Sequence, residues 1–267
     1  MADEVLKKKI LDTGLAGRRV LVTAGAAGIG LAIVERLLTH DARVFICDVD
    51  EPAIASFSNA NPKAGTIKAD VSSESDVDRM FTAVRAELGG LDALINNAGI
   101  AGPTSGVEDI DPAEWRRCID VDLTGQFLCA RRAVPMLKSA GGGSIINMSS
   151  AAGRHGYAYR TPYSSAKFGI IGLTQSLAKE LGPANIRVNA ILPGIIDGPR
   201  MERVISDRAT QLNIGYEAME KTYLERVSLR RMTSPHDVAA MIAFLISDAG
   251  ANISGQSIGV DGNVETL

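Results

Sequence analysis

Short runs rich in β-branched and apolar residues alternate along this chain with longer stretches of helical periodicity. "RRVLVTA" (18–24), "ARVFICD" (42–48), "GTIKAD" (65–70), "LDALINN" (91–97), "GSIINMSS" (143–150), "IRVNAILP" (186–193) and "QSIGVDG" (256–262) predict strands. Several are apolar throughout, as strands covered on both faces should be. Between them, "LAIVERLLTH" sets Leu31, Val34, Leu37 and Leu38 on one helical face. "SESDVDRMFTAVRAELGG" opens with a Ser/Glu capping pattern and closes on glycine. "DPAEWRRCIDVDLTGQFLCARRAVPMLKSAGG" reads as one long helix, with Pro in its first turn and Gly after its end. "PYSSAKFGIIGLTQSLAKELG" and "SPHDVAAMIAFLISDAG" follow the same rules.

Strand–helix alternation over the whole length predicts an α/β fold, a doubly wound parallel sheet of about seven strands with helices on both faces. No Pro/Gly/Ser linker divides it, so residues 1–267 read as a single domain preceded by an N-terminal arm (1–16). Residues 197–232 are polar, helical in pattern and outside the alternation. Open α/β sheets bind ligands at the carboxyl ends of their strands, and an insertion there predicts a substrate lid.

Charge and cysteine usage remove several functions. Apolar residues make up 46% and charged residues 22%, enough for a sizeable core, and the formal net charge is −3. Nucleic-acid binding would need a positive face that this balance does not supply. The one basic run, "KKK" at 7–9, reads as a solvated arm. Cys47, Cys118 and Cys129 are scattered and odd in number, which points to a reducing compartment rather than a disulfide framework. The first twenty residues lack the apolar stretch of a signal peptide, and no apolar run reaches the roughly 18 residues of a membrane span. A soluble cytoplasmic protein is expected. His40, His155 and His236 lack ligand spacing, so no metal is expected.

"TAGAAGIG" (23–30) joins the first strand to the first helix. Such a glycine turn aims N–H groups and a positive helix end at a pyrophosphate, here through Gly25, Gly28, Ile29 and Gly30. Asp48 ends the second strand, 18 residues past Gly30. A carboxylate there accepts both hydroxyls of an adenosine ribose and repels a 2′-phosphate, which favours NAD over NADP. Neither Arg nor Lys stands beside it in "ICDVDEP" or in the glycine turn.

"YSSAK" places Tyr163 and Lys167 one helical turn apart. A free phenol titrates near 10, and bringing a phenol to neutrality takes about 4 kcal/mol. One cation at 4 Å and an effective dielectric near 20 supplies about that much, but i,i+4 pairs usually stand further apart. A second positive charge, such as an oxidised nicotinamide ring, would complete it. Ser150 ends the fifth predicted strand, where a hydroxyl can donate to a substrate oxygen that the tyrosine also touches.

Taken together, "TAGAAGIG", "NNAG" (96–99), "NMSS…YSSAK" with Ser150 thirteen residues before Tyr163, and "ILPG" (191–194) resemble the short-chain dehydrogenase/reductase family. The resemblance spans residues 17 to 262, with the motifs in the family's order. It implies a Rossmann-type fold and hydride transfer between a nicotinamide cofactor and an alcohol or ketone. By that resemblance Tyr163 is the general acid/base, Ser150 orients the reacting oxygen, and Lys167 holds the nicotinamide ribose and lowers the tyrosine's pKa. Asp70, with Val71 beside it, would receive the adenine amino group. Asn97, Ala98 and Gly99 would fix the nucleotide near the fourth strand, and Pro193 and Gly194 would border the nicotinamide. A homotetramer or dimer is likewise implied by resemblance.

Three positions depart from the family pattern. Residue 24 is alanine where the family has glycine. Because alanine at positive φ would cost about 1–2 kcal/mol, a negative φ is expected there, with the loop still binding pyrophosphate. Asp122 in "IDVDLTG" replaces the asparagine of the catalytic tetrad, whose main-chain carbonyl would keep its role, while an ionised carboxylate could also pair with a neighbouring donor. Gly198 replaces a threonine near the nicotinamide amide, leaving main-chain groups of Ile196 as the expected partner.

"AAGRHGYAYRTP" (151–162) should border the substrate pocket. Arg154, His155, Tyr157 and Arg160 are polar for a pocket that serves steroids or acyl chains. Arg154, and Arg200 from the lid, are candidates to bind a carboxylate, sulfonate or polyol. The expected activity is NAD-dependent oxidation of a secondary alcohol on a polar small molecule such as a hydroxy acid, sugar or polyol. The alternatives are an NADPH-dependent ketone reductase of the 3-oxoacyl type and a catalytically silent nucleotide-binding protein.

Overall fold

Alternate residues of each inner strand enter opposite apolar layers. Along β1 (Arg19–Thr23), Val20 and Val22 join one cluster and Leu21 the other; along β2 (Arg43–Asp48), Val44 and Ile46 part from Phe45 and Cys47 in the same way. β3 (Gly65–Lys68), β4 (Ala93–Asn96), β5 (Gly143–Met148), β6 (Ile186–Pro193) and β7 (Ser257–Val260) complete a seven-stranded, all-parallel sheet in the order β3-β2-β1-β4-β5-β6-β7. All seven predicted strands are present. The computed structural model describes residues 14–264; residues 1–13 of the expected arm, and the side chains of Arg200, Asp207 and Gln211, lie outside the described part.

One face of the sheet is covered by α1 (Gly28–Thr39), α2 (Glu51–Ala60) and α9 (Pro235–Ile246). The other is covered by α3 (Glu74–Leu88), α5 (Gly125–Ser139) and the C-terminal part of α6 (Thr161–Leu181). Ile33, Val34 and Leu37 of α1 are fully buried, each worth about 1.5–3 kcal/mol over the exposed side chain. The buried stripe is therefore rotated from the predicted one: Leu31 and Leu38 sit at its margin. α2 is not evident from periodicity because Phe57 is its single buried residue. What starts it is local: the Asp50 carboxylate accepts from the N–H of Ala53 at 3.1 Å, with Pro52 in the first turn.

The predicted long helix at 112–138 is interrupted. α4 (Pro112–Ile119) passes into one π turn, Asp120–Thr124, before α5 begins. A single π turn re-aims the side chains it carries, and here it turns Val121 and Asp122 into the protein. After β6 the chain leaves the sheet to form α7 (Pro199–Leu212) and α8 (Tyr216–Leu224). These two helices share a small apolar cluster of Ile205, Ala209 and Met219, with Met201, Tyr223 and Met232 packed on it.

The strand order reverses between β1 and β4, so the connections that leave these two strands diverge and open a crevice at their carboxyl ends. The glycine turn, the loop after β4, Ser150 after β5 and the segment after β6 all converge on that edge.

Candidate active site

The glycine turn is built on Thr23 and Asn97. Thr23 Oγ1 accepts from the N–H groups of Asn97 and Ala98, both at 2.9 Å, and Asn97 Nδ2 donates to the carbonyls of Thr23 and Ala24, both at 3.0 Å. Ala24 is left-handed, with φ +49°, which corrects the expected negative value. This twist lets two successive carbonyls face one amide group while the next N–H, that of Gly25, reaches Cys47 O at 3.1 Å. These hydrogen bonds offset the strain of an alanine in this region. Gly30 has no room for a side chain, since a Cβ would stand 2.0 Å from the Ala24 carbonyl oxygen. Gly28, at φ +55°, opens α1. The cap residue Ala27 makes no side-chain hydrogen bond and the first turn holds no acidic residue, so the N–H groups of Gly28, Ile29 and Gly30 are free to take an external anion.

Asp48 lies beside this turn. Its Oδ2 accepts from Ala26 N at 3.2 Å, and its Oδ1 accepts from Val49 N and Asp50 N at 2.8 and 3.2 Å. Further along the crevice, Asp70 Oδ1 accepts from the N–H and hydroxyl of Ser72, at 2.9 and 2.7 Å. Its Oδ2 is held by Arg117 of α4 at 2.9 Å. Burial pushes the Asp70 carboxyl up, but Ser72 and Arg117 outweigh it and hold the group below the usual carboxylate range. Val71 beside it is buried against Gly125.

At the centre of the edge, Ser150 Oγ accepts from Ala152 N at 3.1 Å, which leaves its O–H available to donate elsewhere. Lys167 is 5% exposed; its Nζ donates to Met148 O at 3.2 Å and lies 5.3 Å from the Tyr163 ring centroid. Gly99 lets the loop after β4 pass over this ammonium, 3.2 Å from where a Cβ would be. Asp122 is fully buried; its Oδ1 accepts from Ile100 N at 2.7 Å and its Oδ2 is 3.2 Å from Lys167 Nζ. The carboxylate thus pairs with a main-chain donor and with a buried ammonium, the side-chain pairing that the sequence left open beside the role of its main-chain carbonyl. Beneath it, a buried chain of amides joins the strands: Asn96 Nδ2 donates to Asn147 Oδ1 at 2.9 Å, and Asn147 Nδ2 donates to Thr174 Oγ1 at 3.0 Å.

Of the two candidate anion-binding arginines, the structure describes the side chain of Arg154 alone. Arg154 is exposed and donates to Ser257 O of β7 at 3.2 Å, three residues before the end of that strand. Arg200 stands in the first turn of α7, and its side chain lies outside the described residues. Arg160 is the guanidinium at the site, with its Cζ 4.7 Å from the Tyr163 ring centroid and 5.5 Å from that of Tyr157. Tyr223 of α8 is near Tyr157, and burial, then that neighbour, push its pKa up. Pro193 and Gly194 end β6, with Gly194 N donating to Val260 O at 3.1 Å. Ile196 bridges Thr233 through the carbonyl of Ile195 and the N–H of Asp197, leaving its own main-chain groups turned the other way. Thr23, Arg117 and Tyr223 were not singled out from the sequence, because each acts through residues distant along the chain.

Comparisons with known proteins show the family. A family profile described as Enoyl-(Acyl carrier protein) reductase matches residues 24–264. Cis-4-hydroxycyclohexanecarboxylate dehydrogenase of Sinomonas cyclohexanicum is 38% identical over 255 residues, 94% of this chain and 98% of its own. The 2,5-dichloro-2,5-cyclohexadiene-1,4-diol dehydrogenase of Sphingobium indicum is 33% identical, covering 95% of this chain and 99% of its own. A solved actinorhodin polyketide ketoreductase variant with NADPH superposes with a TM-score of 0.88 at 29% identity, covering 94% of this chain and 98% of its own. The chain therefore belongs to the short-chain dehydrogenase/reductase family and is an NAD(P)-dependent oxidoreductase of CH–OH groups.

Proposed function

We propose that this protein uses NAD to oxidise a secondary alcohol on a small, polar or anionic molecule, with a hydroxylated six-membered carbocycle as the first class to test. The observation that carries the chemistry is the buried Lys167 ammonium 5.3 Å from the Tyr163 ring centroid, on the sheet edge where Ser150 follows β5 with its O–H left to donate. A nicotinamide held in this crevice would supply the acceptor for hydride from the carbinol carbon, and the donor in the reverse direction. Tyr163 accepts the alcohol proton at its phenolic oxygen, Ser150 donates to the same substrate oxygen, and Lys167 favours the phenolate through its charge. Asp122 and Met148 O fix the Lys167 ammonium.

Asp48 supports NAD: its carboxylate is held at the glycine turn by Ala26 N, and a negative charge at the end of the second strand would repel a 2′-phosphate. Asp70 and Val71 take the adenine end, and the uncapped first turn of α1 takes the pyrophosphate. Asn97, Ala98 and Gly99 act by shaping the turn and the loop after β4, and Pro193, Gly194 and Ile196 border the nicotinamide amide. The polarity of Arg160, Tyr157 and Tyr223 supports a polar substrate, and two relatives are named for hydroxylated cyclohexane or cyclohexadiene compounds.

We further propose one domain with residues 197–232 as its lid, since α7 and α8 form their own small cluster and α8 brings Tyr223 to Tyr157. Exposed Phe127 of α5 and Phe168 of α6 support a homotetramer or dimer, and the free thiols of Cys47, Cys118 and Cys129 support the cytoplasm. The test is turnover of hydroxycyclohexanecarboxylates, hydroxy acids, sugars and polyols with NAD and with NADP, against Tyr163→Phe as blank. A tenfold or greater preference for NAD is expected. Equal or better use of NADPH in ketone reduction would favour the reductase reading, which the NADPH-bound neighbour keeps in view.

A further inference from the structure

We infer that Asp122 and Arg160 form a balanced pair of opposite charges that sets the pH range in which Tyr163 exchanges its proton, a reading that rests on Tyr163 being the acid/base. The family pattern has a neutral amide where this chain has Asp122, so a carboxylate here is an added negative charge. It is fully buried and only 3.2 Å from the Lys167 ammonium, where it offsets the one helix-borne cation beside the phenol. Left alone, that substitution would make the phenolate harder to form at neutral pH.

Arg160 restores the balance. Its guanidinium lies nearer the Tyr163 ring centroid than the ammonium does, 4.7 Å against 5.3 Å. It is fixed there by donating from Nη2 to Ala101 O at 2.7 Å and by the Tyr157 ring at 5.5 Å. Its Nε is buried without a hydrogen-bond partner, so the two ring faces and one carbonyl hold this half-buried guanidinium in place. Lys167, Asp122 and Arg160 together leave one net positive charge around the phenol, as a lysine beside a neutral amide would.

The other groups packed around α6 leave this balance intact. Cys118 of α4 is pushed up to about 11, by burial and then by Asp122, and is a neutral thiol at physiological pH. Glu114, Arg116 and Asp120 are exposed, and Arg117 is engaged with Asp70. Arg187 of β6 donates to the carbonyls of Leu245 and Gly250. β5 and the Ala151–Gly153 turn carry no titratable side chain, and His155 and Tyr157 precede Arg160 in its own loop. At roughly 6 Å and an effective dielectric near 20, one unit charge displaces a titration by about two pH units, and solvent and counter-charges reduce that to about one.

The experiment measures alcohol oxidation against pH for the wild type, Asp122→Asn, Arg160→Met, Arg160→Lys and the Asp122→Asn/Arg160→Met double variant. In parallel, tyrosinate absorbance at about 295 nm is titrated in the protein without cofactor, and the signal lost on adding Tyr163→Phe to each background isolates that phenol. Asp122→Asn should move both midpoints down by about one pH unit and Arg160→Met should move them up by as much. Arg160→Lys should stay near the wild type, and the double variant should return to within about 0.3 units of it. Single variants that move together, or not at all, or a double variant that does not return, would overturn the balance. Arg160→Gln repeats the test should Arg160→Met not fold. Turnover that survives Tyr163→Phe would instead sink the underlying assignment, so the two failures are distinguishable.

Discussion

Replacing Ala24 by glycine should stabilise this protein. Ala24 holds φ +49°, and a left-handed L-residue costs about 1–2 kcal/mol. Glycine removes that strain but gives the unfolded chain more freedom, which takes back about 0.4–1 kcal/mol. The net expectation is a gain of about 0.5–1 kcal/mol, or roughly 1–4 °C in Tm for a chain of this size. The hydrogen bonds that shape the turn involve main-chain groups and the side chains of Thr23 and Asn97, and all survive the change. Thermal unfolding with and without NAD, and the KM for NAD, measure it. The gain should appear in both melts and the KM should stay within about threefold. A loss of stability above 0.5 kcal/mol would show that the methyl packs productively, and the strain argument would then be wrong.

Other changes test the nucleotide end and the fold. Asp48→Ala should lower kcat/KM with NAD by 10- to 100-fold, the loss of a charged acceptor shared by two hydroxyls, and should raise use of NADP. Arg117→Met should raise the KM for NAD about three- to tenfold with little change in kcat, because the exposed Arg117–Asp70 pair orients a carboxylate and touches no reacting atom. Asp92 accepts from Arg19 Nε and Nη2 at 2.9 and 2.6 Å, and these bonds outweigh burial to hold its carboxyl below the usual range. Its depressed folded-state pKa contributes stability that is present above about pH 4 and lost as pH falls through the folded value. Arg19→Met should therefore move the acid-unfolding midpoint, followed by far-ultraviolet circular dichroism, to higher pH.

What was legible in the sequence is what local periodicity and motif spacing encode. Strands with fully buried inner residues, such as Val20 to Val22, announce themselves as apolar runs. The Tyr163–Lys167 pair follows from one helical turn, and Asp48 from the end of a strand. α2 was not legible because it buries only Phe57. The π turn at Asp120–Thr124 was not legible either, since nothing in its composition breaks the helical pattern around it. Arg154 and Arg160 sit in one loop with the same side chain, and sequence gave no ground to separate them. Contacts from distant parts of the chain separate them: Arg154 donates to Ser257 O of β7, whereas Arg160 donates to Ala101 O beside the Tyr163 ring.

Two of the departures from the family pattern, Ala24 and Asp122, are absorbed by different physics. Ala24 alters a backbone preference, and a backbone preference is satisfied or strained within a few bonds. A remote side chain can raise the reward for the strained shape, as Asn97 does by bridging two carbonyls, but it cannot remove the strain. Asp122 alters a charge, and charge acts over several ångströms, so a residue on another element can offset it. Arg160 stands on the same ring as Lys167, and Asp122 stands behind Lys167. Glycine at 24 should therefore help whatever surrounds it. Asparagine at 122 should help or harm according to the residue at 160, and a chain that carries an acid at 122 with an uncharged residue at 160 should need a higher pH to turn over its alcohol.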